Sequence, residues 1–385
     1  MVAFGTYDAT AHPRVQVLID GLRERGIEVR EIAEPIGLHT ARRVEMLRKP
    51  WLVPVLAARL CRRWLTLTGR ALRLSRDERP SHVLVGYLGH FDVLLARVLF
   101  PSATVVLDHL IFAAGTARDR GVGTGIRTLL LSGLDRLAIA AADVVVTDTA
   151  EHAAQVPARR RDDTVVVPVG ATQAWFDAGA RAEASRTRET GDGALTVVFF
   201  GLFTPLQGAT VIAEALRLLD RRGVSVRATL VGSGQDAAAV RSILARIDPD
   251  SDSGSSTVEM TWHEWVGPAD LPGLVAAHDV CLGIFGTTSK AFTVVPNKVY
   301  QGAAAGCAVI TSDTGPQRRA FGDAAIFVPP ADAEALAGAI EIFADRSALG
   351  RARAAGRAAA HRFTARAVVT PLVEALGAAP TTSAR

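Results

Sequence analysis

At 385 residues the chain is long enough for two domains of ordinary size. Apolar residues make up 49% and charged residues 21%, which excludes a disordered chain. The net charge is only +4, and the basic clusters carry few aromatics, so there is no nucleic-acid signature. No apolar run approaches the ~20 residues of a membrane span. The opening MVAFGTYDATAHPR lacks the basic and apolar regions of a signal peptide. The expected location is therefore cytoplasmic. Cys61, Cys281 and Cys307 have no paired or metal-ligand spacing and are expected as free, buried thiols.

Short apolar runs alternate with helical patterns along the chain. In the first half the strand candidates are residues 2–5, 28–33, 82–88, 104–109, 143–149 and 164–170. Each is nearly continuous in apolar residues, as expected for strands buried on both faces. Helical patterns such as PRVQVLIDGLRERG and IRTLLLSGLDRLAIAAA separate them. The polar, small and charged segment 178–194 reads as a linker. The alternation then restarts, with strand candidates at 195–201, 225–232, 258–265, 280–285, 308–313 and 325–330. The fold class is therefore α/β, with two Rossmann-like, doubly wound parallel-sheet domains. Their expected bounds are 1–177 and 195–365, with 178–194 as hinge and 366–385 as a C-terminal helix and frayed tail.

Residues 42–76 hold ten Lys or Arg against one Glu, with Trp51, Leu52, Val55, Leu56, Leu60, Trp64 and Leu67 near helical spacing. Such a stretch suits either an anionic membrane surface or a helix packed on its own sheet, with Pro54 interrupting the pattern. Asp248, Asp250 and Asp252 spell DPDSD inside a Ser/Gly-rich loop, which reads as a solvated turn rather than a metal site. No metal is expected.

The chain has one asparagine and three lysines, and the stretch KAFTVVPNKVYQGAAAG contains Lys290, Asn297 and Lys298. Pro296 suits the first turn of a helix there, and Gly306 suits its end. A helix N-terminus favours an anion, and Lys298 adds a compact charge at the same spot. Lys290 stands on the preceding loop. Together the two lysines could neutralise a diphosphate without a metal. Gly5, Gly201 with Gly208, and Gly232 with Gly234 follow strands and would let backbone N–H groups approach a ligand. His90, Asp108 and His109 stand at carboxyl ends of predicted strands, on the edge that faces a ligand crevice in such sheets. Each fits a substrate contact as well as an ordinary buried hydrogen bond.

On GTYDATAHPRVQVLIDGLRERG, FFGLFTPLQG, LVGSGQD and GIFGTTSKAFTVVPNKVYQGAAAGCAVITSDTG the chain resembles the family-4 glycosyltransferases, in the branch that carries PNK. The resemblance covers nearly the whole chain. It implies the GT-B fold, two Rossmann-like domains facing a cleft, and retaining transfer of a sugar from a nucleoside diphosphate sugar. The second domain would hold the donor. The first would hold an acceptor, a secondary metabolite or a cell-envelope glycan or glycolipid. Lys298 and Lys290 would stabilise the leaving diphosphate, Gln301 would contact the ribose beside Asn297, and Gly283 and Gly286 would leave room for the sugar. No cofactor or metal is implied. The family often places an acidic pair where this chain has Thr293 and Gln301, and Arg and Lys where it has Leu202 and Gln207. These departures leave open a non-catalytic nucleotide-sugar-binding partner of another transferase. A nucleotide-sugar epimerase of the same fold would need an acid–base pair of carboxylates, and none stands out.

Overall fold

The structure, a computed structural model, describes residues 1–9, 12–37, 53–113, 115, 125–186, 194–247 and 256–378. It forms two compact units, Met1–Pro168 with Val368–Arg385, and Val169–Ala367. All twelve expected strands are present, the first with its expected bounds and the others trimmed at one or both ends. The first unit holds β1 (Val2–Gly5), β2 (Arg30–Ala33), β3 (His82–Val85), β4 (Thr104–Asp108), β5 (Val144–Thr147) and β6 (Thr164–Val166). They pair in parallel in the order β2-β1-β3-β4-β5-β6. The second unit holds β7 (Leu195–Phe200), β8 (Val226–Val231), β9 (Val258–His263), β10 (Val280–Leu282), β11 (Ala308–Ser312) and β12 (Ile326–Val328). Their order is β12-β11-β10-β7-β8-β9, again parallel.

Burial on both faces holds for the central strands but not at the edges. β2, β6 and β9 are partly exposed, because an edge strand lacks a neighbour on one side. In the first unit Phe4, Val83, Val85, Leu107 and Val145 meet Leu67 and Ala96 from the helices. In the second, Phe199, Leu282 and Ile310 meet Ile212, Leu216 and Leu219 of the helix Ala209–Arg221. The 3.6-residue repeat puts those three on one face of that helix. Each such side chain contributes about 1.5–3 kcal/mol on burial.

The unit boundaries differ from the expected hinge. The first half of segment 178–194 belongs to the helix Gln173–Arg186, inside the second unit. Its AGARAEASR run is polar, but Ala, Arg and Glu are strong helix formers, and propensity prevails over polarity. Gly179 packs it closely, since a Cβ there would stand 2.4 Å from the carbonyl of Ala304. Residues 187–193 lie outside the described residues. The C-terminal helix Thr370–Ala378 belongs to the first unit rather than standing apart.

The helix Val53–Leu72 begins with Pro54 in its first turn, so the proline opens this helix instead of interrupting it. Trp64 and Leu67 pack on the core of the first unit, while Leu65 faces outward. Trp51, Leu52 and the DPDSD residues lie outside the described residues. Cys281 and Cys307 are buried, as expected, but Cys61 is exposed on the outer side of its helix. Among the described residues no helix is long and apolar enough to cross a membrane.

Gly208 and Gly223 flank the helix Ala209–Arg221 with nearly equal left-handed backbones, φ +67° and +70°. A Cβ at Gly223 meets nothing within 4 Å, whereas one at Gly208 would lie 2.6 Å from the backbone of Phe285. Gly223→Ala should therefore cost only the left-handed penalty, about 1–2 kcal/mol. Gly208→Ala should cost a further ~1–3 kcal/mol for overpacking. Denaturant melts of the two variants, compared with the parent chain, check the difference.

Candidate functional site

The second sheet reverses its winding between β7 and β10, with β8 and β9 beyond one and β11 and β12 beyond the other. At such a switch point the loops leaving the carboxyl ends of the two strands part and open a crevice. Here those loops are 201–208 after β7 and 283–296 after β10. The helix Asn297–Ala304 starts at the end of the second loop, with Pro296 as its cap residue rather than in its first turn. It stops at Gly306, whose φ of +80° lets the backbone bond back to Ala303.

Lys298 is drawn inward from the first turn of this helix and is only 5% exposed. Its Nζ lies 3.7 Å from the centre of the Phe199 ring and donates to Oε1 of Gln207. The missing Cβ of Gly201 makes room for it, because a Cβ there would stand 3.1 Å from Nζ. Among the described residues no carboxylate lies within the 4.0 Å of an ion pair with Lys298. Burial lowers its pKa to about 7, and Cys281 opposes this only weakly. The Cys281 thiol is itself pushed well up by burial, so it stays neutral. An unpaired buried cation at a switch point is an arrangement that perturbs a pKa for use, because an incoming anion supplies the missing counter-charge.

The other expected residues distribute as follows. Asn297 is exposed at the first helical position, and Gln301 is buried one turn on. Lys290 is half-buried on the short 3₁₀ turn Ser289–Phe292, ahead of the helix. The glycines pack loop against loop. A Cβ at Gly232 would stand 1.9 Å from the carbonyl of Gly201, one at Gly234 2.4 Å from that of Phe203, and one at Gly286 1.9 Å from that of Pro205. Their smallness thus locks the 201–208 loop in place beneath Lys298. Gly283 has the same kind of duty, since a Cβ there would meet Oγ1 of Thr311 at 2.1 Å. That hydroxyl belongs to a buried polar network with Gln317 and Ser312.

In the first unit, Asp108 and His109 end β4 as expected, but they have different partners. The carboxylate of Asp108 is committed to Arg14, whose Nε donates at 2.8 and 3.1 Å. Burial raises the Asp108 pKa and Arg14 opposes the rise. Arg14 also donates through Nη1 to the carbonyl of Val167 at 2.9 Å, while its Nη2 has no partner among the described residues. His109 is 1% exposed, and neither of its ring nitrogens has a hydrogen-bond partner among the described residues. Burial, with help from nearby His90, lowers its pKa to about 3, so the ring is neutral near pH 7. His90 stands beside it, the ring centres 4.9 Å apart, and its Nε2 meets Oδ1 of Asp135 at 2.9 Å. Gly5 is the last residue of β1, with φ +141°, and a Cβ there would lie 2.8 Å from Oδ2 of Asp92. Asp92 accepts from the backbone and hydroxyl of Thr6 and from Nε1 of Trp64, so Gly5 here serves a tight internal contact.

Arg14, Asp92, Asp135 and Gln207 were not among the expected site residues. Arg14 shares its helical pattern with Asp20, Arg23 and Glu24, and Asp135 stands beside Arg136, so neither charge stood out. Asp92 had no signal either, and Gln207 was marked only as standing where the family often has a basic residue; the roles of both depend on which loops the sheet order makes neighbours.

Residues 194–345, which span the second sheet, match the family described as Glycosyl transferases group 1. No curated protein sequence matches the chain. Among solved structures it is similar to Anabaena Alr3699/HepE in complex with UDP, at 14% identity and TM-score 0.62, covering 98% of each chain. It is also similar to sucrose-phosphate synthase (tll1590) from Thermosynechococcus elongatus, at 16% identity and TM-score 0.65, covering 95% of this chain and 93% of that one. A glycosyltransferase from Rickettsia africae ESF-5 gives 14% identity and TM-score 0.59, covering 97% and 95%. The fold is that of the GT-B class.

The buried lysine has a measurable consequence. Its pKa is about 7 in the folded chain against 10.5 for an ordinary lysine. Between those values the unfolded chain holds one more proton, so this group makes stability rise with pH from about 7 to about 10.5. Lys298→Met should flatten that rise. Melts of both proteins across this pH range, with carbon NMR of the three labelled lysines, check it.

Proposed function

We propose that the chain is a glycosyltransferase that takes a sugar from a nucleoside diphosphate sugar. The observation that carries this reading is Lys298, a buried ammonium without a carboxylate partner at the switch point of the second sheet. A diphosphate is the kind of ligand that completes it. The family match over the second sheet supports the reaction class. The similar Anabaena Alr3699/HepE structures, in complex with UDP and with UDP-glucose, support a uridine nucleotide donor.

Lys298 and the N-terminus of its helix hold the departing diphosphate, and Lys290 approaches from the turn before it. Gln301, one turn along, takes the ribose. Gln207 holds the ammonium in the empty site and exchanges it for phosphate oxygen when the donor binds. The diphosphate charge is met by these groups and not by a metal. Transfer is retaining, as the likeness to the PNK-bearing family-4 branch implies. The acceptor lies with the first unit, near His109 and His90.

Lys298→Ala should weaken nucleoside diphosphate binding by about 1.5–3 kcal/mol, the scale of a charge-assisted hydrogen bond. Lys298→Arg should also bind poorly, since a planar fork does not fit the space between Gly201 and the Phe199 ring. The parent affinity should fall as pH rises above about 7, where the free ammonium loses its proton. Calorimetric titration with UDP in the presence of chelator tests all three. Parent-like affinity in Lys298→Ala would remove the assignment.

The acceptor side includes a peripheral membrane contact through the region 42–76. The helix Val53–Leu72 carries Arg59, Arg62, Arg63 and Arg70 and no acidic residue, although Arg63 and Arg70 pair with Glu34. Leu65 is 75% exposed on it, and Leu129 and Leu130 are exposed on the helix Ile126–Ala141 of the same unit. A cationic surface with outward leucines suits anionic lipid, with ~1 kcal/mol for each Arg near the surface. Sedimentation with anionic vesicles should succeed at low salt and fade near 1 M, where the Debye length is ~3 Å. Leu65→Ser should weaken it without a change in melting. Equal sedimentation with neutral vesicles, or none at low salt, would leave a soluble acceptor.

A further inference from the structure

Three potential metal ligands converge inside the first unit, on three different elements. His90 lies in the turn after β3, His109 follows β4, and Asp135 is on the helix Ile126–Ala141. All three are buried, at 7%, 1% and 5% exposure. Their ligand atoms all lie within 4.8 Å of one another. Oδ1 of Asp135 stands 2.9 Å from Nε2 of His90 and 3.7 Å from Nε2 of His109. Four ligands held tetrahedrally at ~2.0–2.1 Å from one ion stand ~3.3 Å apart, between those two separations.

Hydrogen bonding within the cluster leaves His109 unexplained. His90 has Asp135, and Asp135 also accepts from the backbone N–H of Ala113 at 3.0 Å. His109 has no partner for either nitrogen among the described residues, although its ring is enclosed by His90 and by Phe112, whose ring centre is 4.6 Å away. A buried imidazole must place one N–H and one lone pair, and leaving both unmade carries the desolvation penalty of each group. A bound ion between the three residues would use the lone pair of the nitrogen that faces Asp135.

We propose that His90, His109 and Asp135 form a divalent metal site in the first unit, of the class that binds Zn²⁺ or Co²⁺. The ligand chemistry selects the ion. Two imidazoles and one carboxylate suit zinc and its neighbours, whereas Mg²⁺ and Ca²⁺ prefer oxygen ligands alone. Three protein ligands leave a fourth position for water or a substrate oxygen. The backbone N–H of Ala113 supplies the outer contact that orients Asp135. The site is separate from Lys298, which belongs to the other unit and needs no metal for a diphosphate.

The full chain, stripped with chelator and dialysed, should bind one Zn²⁺ per molecule in calorimetric titration. Co²⁺ should give the intense visible absorption of a low-coordinate site, and Mg²⁺ should give no signal. His109→Ala and Asp135→Asn should each weaken Zn²⁺ by at least the 10–100-fold that loss of an outer partner costs. Asp135→Asn keeps the shape and the acceptor for Ala113, so it remains folded even where His109→Ala does not. His263→Ala, at an exposed histidine on β9, should bind as the parent does. UDP affinity should be the same in all four proteins, which separates this site from the donor reading. Absence of stoichiometric Zn²⁺ binding, or unchanged binding in Asp135→Asn, would overturn the proposal and leave a His–Asp hydrogen-bond network.

Discussion

The candidate donor site depends on one unfavourable placement, the removal of the Lys298 ammonium from water without a carboxylate to meet it. Desolvating such a group costs several kcal/mol, which a ring face and one amide oxygen only partly offset. The fold must therefore hold the lysine inward by other means. It does so through the packing of Val299, Tyr300 and Ala303 on the same helix, all buried. The result is a site whose charge is already dehydrated before a ligand arrives. An anion entering it gains the full interaction without first displacing a shell of water, the preorganisation that stabilises developing charge.

The rest of the second unit can be read as support for that placement. Strand order brings the loops after β7 and β10 together, so Gly201 and Gln207 meet a helix that starts some ninety residues later. The loops then lock through contacts that only glycine permits, at Gly208, Gly232, Gly234 and Gly286. Rigidity here has a chemical purpose. A loop free to move by an ångström would let water reach the ammonium and restore its ordinary pKa.

Much of this was legible in the sequence. Continuous β-branched runs located all twelve strands, and the PNK stretch located the helix and its lysine. What could not be read was partnership. The glycines looked like ligand contacts because they follow strands, yet four of them face backbone carbonyls or amides of neighbouring loops. Asp108 looked available, yet Arg14, ninety-four residues earlier, occupies it. The hinge was misplaced because a polar alanine-rich run resembles a linker until its helix propensity is weighed. The contacts made by Asp108 and the glycines join segments far apart in sequence, which periodicity cannot reveal.

The two units solve the problem of buried charge in opposite ways. In the first unit the carboxylates are compensated. Asp108 has Arg14, Asp92 has Thr6 and Trp64, Asp148 has His152, and Asp135 has His90 and a backbone N–H. Among the described residues of the first unit, buried side-chain atoms without a hydrogen-bond partner include Tyr7 Oη, Arg160 Nε, the Nη2 of Arg14 and both ring nitrogens of His109, the last two residues being neighbours of the carboxyl end of β4. In the second unit the cation itself is left without a counter-charge. A buried polar group that the fold leaves unsatisfied costs stability, so its persistence argues for a ligand that satisfies it. Lys298 calls for an anion, because it has charge and only a neutral partner, Gln207. His109 is neutral, faces a carboxylate and has a spare lone pair, so it calls for a cation. That difference in the missing partner distinguishes the proposed phosphate site from the proposed metal site.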